Sequence, residues 1–109
     1  MNMKTGSGFT RLTSLSIFLL LALGSNASYA ADPGKGATIY STQCASCHGA
    51  TGISIMPGAP SFAHGQSLMQ PDTTLAASIR NGKNSMPAFR GILSDTDILN
   101  VIAYLRTFN

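Results

Sequence analysis

The stretch CASCHG, residues 44–49, constrains the fold of this chain more than any other feature. It contains both cysteines of the 109-residue chain and one of its two histidines. Because Cys44 and Cys47 lie three residues apart, a helical turn places their thiols on the same face. Two cysteines at this spacing serve three chemistries: a redox disulfide, half of a zinc site, or the covalent attachment of haem. The other segments of the chain discriminate among these.

The first thirty residues have the order of a secretory signal segment. Lys4 and Arg11 precede an apolar run over residues 12–24, which small and polar residues follow as far as Ala30. The apolar run is shorter than the ~20 residues that cross a bilayer. We therefore predict that residues 1–30 are a signal peptide, cleaved after Ala30, and that the chain is exported to the bacterial periplasm with no membrane span afterwards. An uncleaved membrane anchor is the alternative.

Removal of this segment changes the charge and the size of the chain. The whole chain has seven Lys and Arg residues, four acidic residues and a formal net charge of +3, whereas residues 31–109 keep five basic residues and a charge of +1. Binding to nucleic acid through bulk charge is therefore not expected. The remaining domain of about 79 residues is close to the size at which side chains alone form a marginal core. We expect another component to complete that core.

Three helices are predicted in this domain. The first begins at Asp32, an acidic cap followed by proline at the first helical position, and leads into the CASCH motif. The second begins near Asp72 and ends at Gly82. The third begins at Ser94, with Asp97 three residues later as a near match to a capping box. Its apolar side comprises Ile98, Val101, Ile102 and Leu105. Long loops separate the helices, as expected for a chain that wraps around a large flat cofactor.

The CASCH motif matches the attachment signal of c-type haem. The thiols of Cys44 and Cys47 can add to the two vinyl groups of haem, and His48 follows directly, within reach of the iron. A thioredoxin-like redox pair would need a strand–helix–strand setting, and no strand pattern occurs. A zinc site would need four N or S ligands, and only His64 lies outside the motif. One covalently bound haem c is therefore predicted, with His48 as an axial ligand to its iron.

The opposite axial position of the iron determines the function. A methionine there closes the site and suits electron transfer, whereas an open position permits reactions with peroxide or a gas. The domain offers His64 and three methionines, Met56, Met69 and Met86. Met86 lies in the loop between the second and third helices, beside Pro87, which stiffens the backbone, and we predict Met86 as the ligand. The other two methionines are expected to fill apolar space.

Three segments together resemble the class I c-type cytochromes, the small soluble monohaem kind. These segments are GKGATIYSTQCASCHG at residues 34–49, IRNGKNSMPAF at residues 79–89 and LSDTDILNVIAYLR at residues 93–106. The resemblance implies an all-α, cytochrome c-type fold of three to four helices, with long loops wrapped around one covalently attached haem. The chain has no tryptophan, which many small relatives place near a haem propionate. It offers five candidates for that position instead: Gln66, Arg80, Lys83, Asn84 and Ser85.

The resemblance also assigns supporting residues. Gly36 and Tyr40 match first-helix positions that cross the last helix, and Val101 and Tyr104 match their partners there. Pro60 matches the proline whose carbonyl accepts a hydrogen bond from the axial histidine and so orients its ring.

The function implied is one-electron, outer-sphere electron transfer in the periplasm by a monomer that is not an enzyme. Its partners are expected to be redox proteins, and the sequence does not specify which ones. Two alternatives stand beside it. The first is a haem domain with an open sixth position that acts on peroxide or a gas. The second is a dedicated electron-transfer subunit of one oxidoreductase complex.

Overall fold

The computed structural model describes residues 2–3 and 29–108. The signal peptide predicted for residues 1–30 therefore lies almost entirely outside the described residues. Within the described residues four α-helices follow one another: α1 (Pro33–Gln43), α2 (Ala45–His48), α3 (Asp72–Asn81) and α4 (Asp95–Leu105). Short 3-10 helices occur at Phe62–His64 and Arg106–Phe108. Between residues 29 and 108 there are isolated β-bridges but no β-strand, so the prediction of an all-α fold with long loops is confirmed.

Polar caps begin the first and last helices where the sequence predicts them. The Asp32 side chain accepts hydrogen bonds from the amides of Gly34 and Lys35, at 2.8 and 3.2 Å. At the start of α4, Ser94 and Asp97 form a capping box in which each side chain accepts a hydrogen bond from the amide of the other residue. These bonds satisfy amides that the first turn of a helix leaves without partners.

Helices α1 and α4 cross at a glycine. A Cβ atom on Gly36 would lie 1.9 Å from the carbonyl oxygen of Asn100, so only glycine permits this approach. The side chain of Asn100 is buried in the contact and accepts a hydrogen bond from the Asp32 amide at 2.8 Å. Tyr40 and Tyr104 pack beside the crossing, with ring centroids 5.2 Å apart. The expected contact between the two helices is present, and Asn100 adds a polar member that the apolar pattern of α4 did not reveal.

The hydrophobic core lies between α1, α3 and α4. Its buried side chains come mainly from the apolar sides of α3 and α4, joined by Tyr40 from α1. Arg106 attaches the C-terminal 3-10 helix to the segment that leads into α3. Its guanidinium donates to the Asp72 carboxylate at 2.6 Å and to the carbonyls of Leu68 and Gln70.

None of the described helices is long and apolar enough to span a membrane.

Candidate functional site

The two cysteines lie where α1 ends and α2 begins. Cys44 stands between the helices, with φ −120° and ψ −36°, and its amide donates to the Tyr40 carbonyl at 2.9 Å. In the following turn the His48 amide donates to the Cys44 carbonyl at 3.0 Å. Cys44 and Cys47 are free, half-buried thiols, and both line a cavity that His48 also lines. The motif thus presents two thiols and an imidazole to one space.

The chemistry of the Cys44 thiol disfavours a redox disulfide. Burial, with a further contribution from neighbouring Cys47, raises the pKa of Cys44 to about 11. At neutral pH this group is therefore a thiol, whereas redox exchange depends on thiolates. The described part of the chain also contains no group of three or more His, Cys, Asp or Glu residues that could hold a metal ion.

His48 is held by a hydrogen bond and by a stacked ring. Its Nδ1 lies 3.0 Å from the carbonyl oxygen of Pro60, and its ring stacks on Phe62 with centroids 4.6 Å and planes 26° apart. Because a carbonyl oxygen can only accept, Nδ1 carries the proton in this contact, which leaves Nε2 as the nitrogen that can bind a metal ion. The side chain is 7% exposed. An imidazole in this state is a pre-oriented ligand for a metal ion.

The Tyr40 hydroxyl stabilises the end of α2. It donates to the Gly49 carbonyl at 2.7 Å, in the buried space beside the motif. Burial, followed by the proximity of Cys44 and Tyr104, raises the pKa of Tyr40 to about 12. The hydroxyl therefore keeps its proton and stays a donor throughout the physiological range. The family resemblance assigns Tyr40 to the helix crossing alone, and its bond to the motif comes from the structure.

Met86 lies on a closed turn that follows α3. Its amide and carbonyl exchange hydrogen bonds with Lys83, at 3.0 and 3.2 Å, and Asn84 within the turn has φ 53°. Gly82 precedes the turn with φ 74°, and a Cβ atom there would lie 2.7 Å from the Met86 carbonyl oxygen. The Met86 side chain is half-buried and lines the same cavity as His48. The backbone of this turn therefore restricts the position of the Met86 thioether.

The cavity that these side chains share has a volume of about 660 Å³. This volume lies within the ~300–1,000 Å³ that is usual for cofactor sites. Much of the wall is apolar and comes from the core: Leu75, Ile79, Phe89, Val101 and Leu105. Two thiols, an imidazole with a free nitrogen and a thioether are the groups that a covalently attached haem with two axial ligands requires. The residues present fit that cofactor.

The other candidate ligands lie at the margin of the cavity or away from it. Met56 lines the cavity but is 41% exposed, whereas Met69 is 95% exposed and does not line it. His64 is exposed and also lies outside the lining. Four of the five propionate candidates line the cavity, whereas Arg80 forms an ion pair with Asp95 at 2.6 Å.

Three residues near Pro60 make contacts beside His48 that the sequence did not predict, although one of them, Gln66, was already a propionate candidate. Phe62 stacks on His48, and an aromatic residue two positions after Pro60 was the sequence signal for it. The Ser61 amide donates to Gln66 Oε1 at 2.7 Å. That bond spans the 3-10 helix Phe62–His64, and neither periodicity nor spacing gives a signal for it.

Comparison with known proteins relates the chain to several cytochromes. Residues 31–105 match the family described as "Cytochrome C oxidase, cbb3-type, subunit III". The chain is 35% identical over 99 residues to a cytochrome c6 from Thermosynechococcus vestitus, covering 89% of this chain and 88% of that one. It is 39% identical over 80 residues to a cytochrome c6 from Gracilaria tenuistipitata, covering 72% and 74%. The solved structure of cytochrome c6 from the diatom Phaeodactylum tricornutum gives a TM-score of 0.60 at 34% identity, covering 70% of this chain and 92% of that chain.

Proposed function

This chain belongs to the small class I c-type cytochromes, and from that premise we propose that His48 and Met86 are the axial ligands with which it carries electrons in the periplasm. It is an electron-transfer protein rather than an enzyme, and it carries one covalently bound haem c. The haem supplies a one-electron couple between Fe(III) and Fe(II). The residues of the chain bind that group, orient its ligands and exclude water from it.

The observation that carries the assignment is the set of side chains around one cavity. Cys44 and Cys47 would form the thioether links, and His48 would bind through Nε2, because its Nδ1–H is engaged by Pro60. Pro60 orients the ring, and the stacked Phe62 restricts its rotation. Met86 would supply the second ligand from the turn after α3.

A restrained methionine favours the electron carrier over a site that is open to peroxide or a gas. The two backbone hydrogen bonds between Met86 and Lys83 close the turn, and the clash that a Cβ at Gly82 would cause shows how tightly the turn is packed. A thioether kept at the cavity would compete with an exogenous ligand for the iron.

Substitution of each cavity methionine tests the ligand assignment. In the ferric haem protein, Met86→Ala should remove the weak red charge-transfer band that reports sulfur ligation. It should also lower the reduction potential and let the reduced protein bind carbon monoxide. Met56→Ala is the matched control, because Met56 also lines the cavity, and it should leave all three properties unchanged. Prompt and complete carbon monoxide binding by the unmodified reduced protein at neutral pH would contradict the assignment.

The proposed location is the periplasm, with the signal peptide removed after Ala30 and residues 31–109 forming the haem domain. The basic, apolar and small-residue order of residues 1–30 supports cleavage. The intact mass of the haem protein from the periplasmic fraction should equal that of residues 31–109 plus one haem. A mass that retains residues 1–30 would contradict the proposal.

The proposed partners are redox proteins that bind transiently. Three exposed residues that line the cavity, Met56, Pro57 and Pro87, form an apolar margin at its edge. A small surface of this kind suits brief contacts between an electron donor and its acceptor.

The family match supports a second candidate, a dedicated subunit of one oxidoreductase complex, because the matching family is described as an oxidase subunit. Purification from the native cell at low ionic strength separates the two. Recovery of a monomer supports the free carrier, whereas stoichiometric recovery with one oxidoreductase supports the subunit.

A further inference from the structure

We infer that Ser61 and Gln66 are positioning residues that hold the Pro60 carbonyl against His48 Nδ1 and thereby set how strongly the imidazole binds the iron. The inference rests on the proposed function, since it takes His48 as an axial ligand. Neither residue touches the His48 ring through a hydrogen bond of its own. Both act through the peptide bond that joins Pro60 to Ser61.

That peptide bond carries the two groups on which the inference depends. The Pro60 carbonyl accepts from His48 Nδ1 at 3.0 Å, and the Ser61 amide donates to Gln66 Oε1 at 2.7 Å. Because the peptide unit is planar, its C=O and N–H directions are coupled. A bond that fixes the direction of the Ser61 amide therefore also fixes the direction of the Pro60 carbonyl.

The Ser61 hydroxyl attaches the same peptide to the haem-binding motif. It accepts a hydrogen bond from the Ser54 amide at 2.9 Å. The Ser54 hydroxyl in turn lies 3.2 Å from the carbonyl oxygen of Cys47, the residue before His48. The Cys47 carbonyl also accepts from the Ile55 and Met56 amides, at 3.1 and 3.2 Å. The donor and the acceptor of the His48–Pro60 bond thus belong to one hydrogen-bonded network.

The chain before Pro60 restrains the carbonyl less. Proline has no amide hydrogen to donate, so Pro60 makes no backbone hydrogen bond on that side. Gly58 has φ 83° and open space around it, and the Ala59 amide makes a single bond to the Met56 carbonyl at 3.2 Å. The orientation of the Pro60 carbonyl therefore depends mainly on the bonds of Ser61.

The strength of the His48–Pro60 bond affects the iron through the imidazole. A carbonyl that accepts from Nδ1–H makes the ring a more basic ligand through Nε2, which favours the ferric state. Weakening of this bond should therefore raise the reduction potential and expose the Nδ1 proton to exchange with solvent. A residue with a purely structural role would lower stability without moving either property.

Two substitutions test the inference in the haem-loaded protein. Gln66→Met removes the acceptor for the Ser61 amide at similar side-chain length. Its matched control is Gln70→Met, because Gln70 lines the same cavity and its side chain makes no hydrogen bond to the Pro60–Ser61 peptide. Ser61→Ala removes the hydroxyl that accepts from Ser54, and Ser61→Thr restores it. Ser41→Ala is the control for loss of a hydroxyl, since Ser41 donates to the Thr38 carbonyl at 2.8 Å on the exposed side of α1.

Gln66→Met and Ser61→Ala should each raise the reduction potential. Each should also speed the exchange of the His48 Nδ1 proton, measured by NMR, by up to about tenfold, the factor that corresponds to a hydrogen bond of ~1.4 kcal/mol. Ser61→Thr and Ser41→Ala should match the unmodified protein in both properties. If Gln66→Met fails to load haem, the comparison of Ser61→Ala with Ser61→Thr provides the same test.

Two results would overturn the inference and leave the proposed function intact, provided that the red charge-transfer band is retained. One is that Gln66→Met and Ser61→Ala exchange the ring proton at the same rate as their controls. The other is an equal shift of potential in Gln66→Met and Gln70→Met, which would assign the shift to cavity polarity. If the unmodified ferric protein lacks the red band and shows no paramagnetically shifted His48 ring proton, the proposed function itself fails.

Discussion

At the scale of single residues, the site contains side chains that offer a ligand atom and neighbours that restrict them. His48 offers Nε2 because the Pro60 carbonyl engages Nδ1. Met86 offers its sulfur from a turn that closes on Lys83. Gly82 permits that turn, since a side chain at this position would meet the Met86 carbonyl. The restricting residues act through their backbone, and the position of each ligand atom depends on them.

A pair of glycine substitutions separates backbone strain from displacement of Met86. Gly82 and Gly91 have φ 74° and 80°, so alanine at either position should destabilise the haem protein by about 1–3 kcal/mol. A Cβ at Gly82 would lie 2.7 Å from the Met86 carbonyl oxygen, whereas a Cβ at Gly91 has nothing within 4 Å. We therefore expect Gly82→Ala, and not Gly91→Ala, to lose the red charge-transfer band of the ferric protein. Equal bands in the two variants would show that the clash does not move Met86.

At the scale of elements, the crossing of α1 and α4 determines where the haem-binding motif lies. Helix α1 leads directly into α2, which carries His48, so a shift of α1 against α4 would also move the axial ligand. Gly36 sets the separation of the two helices, and the Asp32 amide, which donates to Asn100, fixes the start of α1 against α4. The capping box of Ser94 and Asp97 fixes the first residue of α4, and so fixes which residues of α4 face α1.

Alanine at Gly36 should separate the two helices. A Cβ 1.9 Å from the Asn100 carbonyl oxygen cannot be accommodated without backbone movement, so we expect a loss of at least ~1–3 kcal/mol in the free energy of unfolding. Gly34→Ala is the control on the same helix, because its Cβ would meet only the Asp32 carboxylate, at 3.2 Å. That change should stay within about 0.5 kcal/mol. Denaturant unfolding of the haem protein measures both, and equal values would argue against the close crossing.

The capping box gives α4 a pH-dependent contribution to stability. The Ser94 hydroxyl, followed by the Ser94 amide, lowers the pKa of Asp97 below its usual value of 3.8. The folded state therefore favours the carboxylate, and its contribution is present above pH 3.8 and lost as the pH falls through the lower, folded-state value. We expect Asp97→Asn to be less stable than the unmodified protein at neutral pH and the difference to shrink at acidic pH. Urea unfolding across this range checks the sign, and a difference independent of pH would contradict it.

At the scale of the whole molecule, the hydrophobic core and the cofactor site share residues. Leu75 and Ile79 of α3 and Val101 and Leu105 of α4 are buried in the core and also line the cavity. The apolar surface of the helices would therefore pack partly on side chains and partly on the haem. Residues 31–109, the predicted haem domain, are close to the size at which side chains alone form a marginal core, so we expect the cofactor to complete it.

A protein that cannot attach haem should consequently be largely unfolded. The double substitution Cys44→Ala and Cys47→Ala removes both thiols and leaves His48 and the helix caps in place. We expect far-ultraviolet circular dichroism to show loss of most of the helical signal compared with the haem protein, because the cavity wall then has no apolar partner. Native-like helix content and a cooperative thermal transition in this variant would contradict the expectation.

The sequence by itself determined the features whose partners lie within a few residues of one another. The cysteines and histidine of the motif share one helical turn, and the caps at Asp32 and Ser94 bond to amides two to three residues away. Helix starts, the all-α class and the kind of cofactor could therefore be predicted from spacing, and resemblance added the crossing at Gly36. Only the tertiary structure decided that Asn100 completes this crossing and that Gln66 holds the Ser61 amide. Such bonds depend on the paths of whole loops and on how helices pack, and those paths are set by packing around the cavity rather than by local spacing.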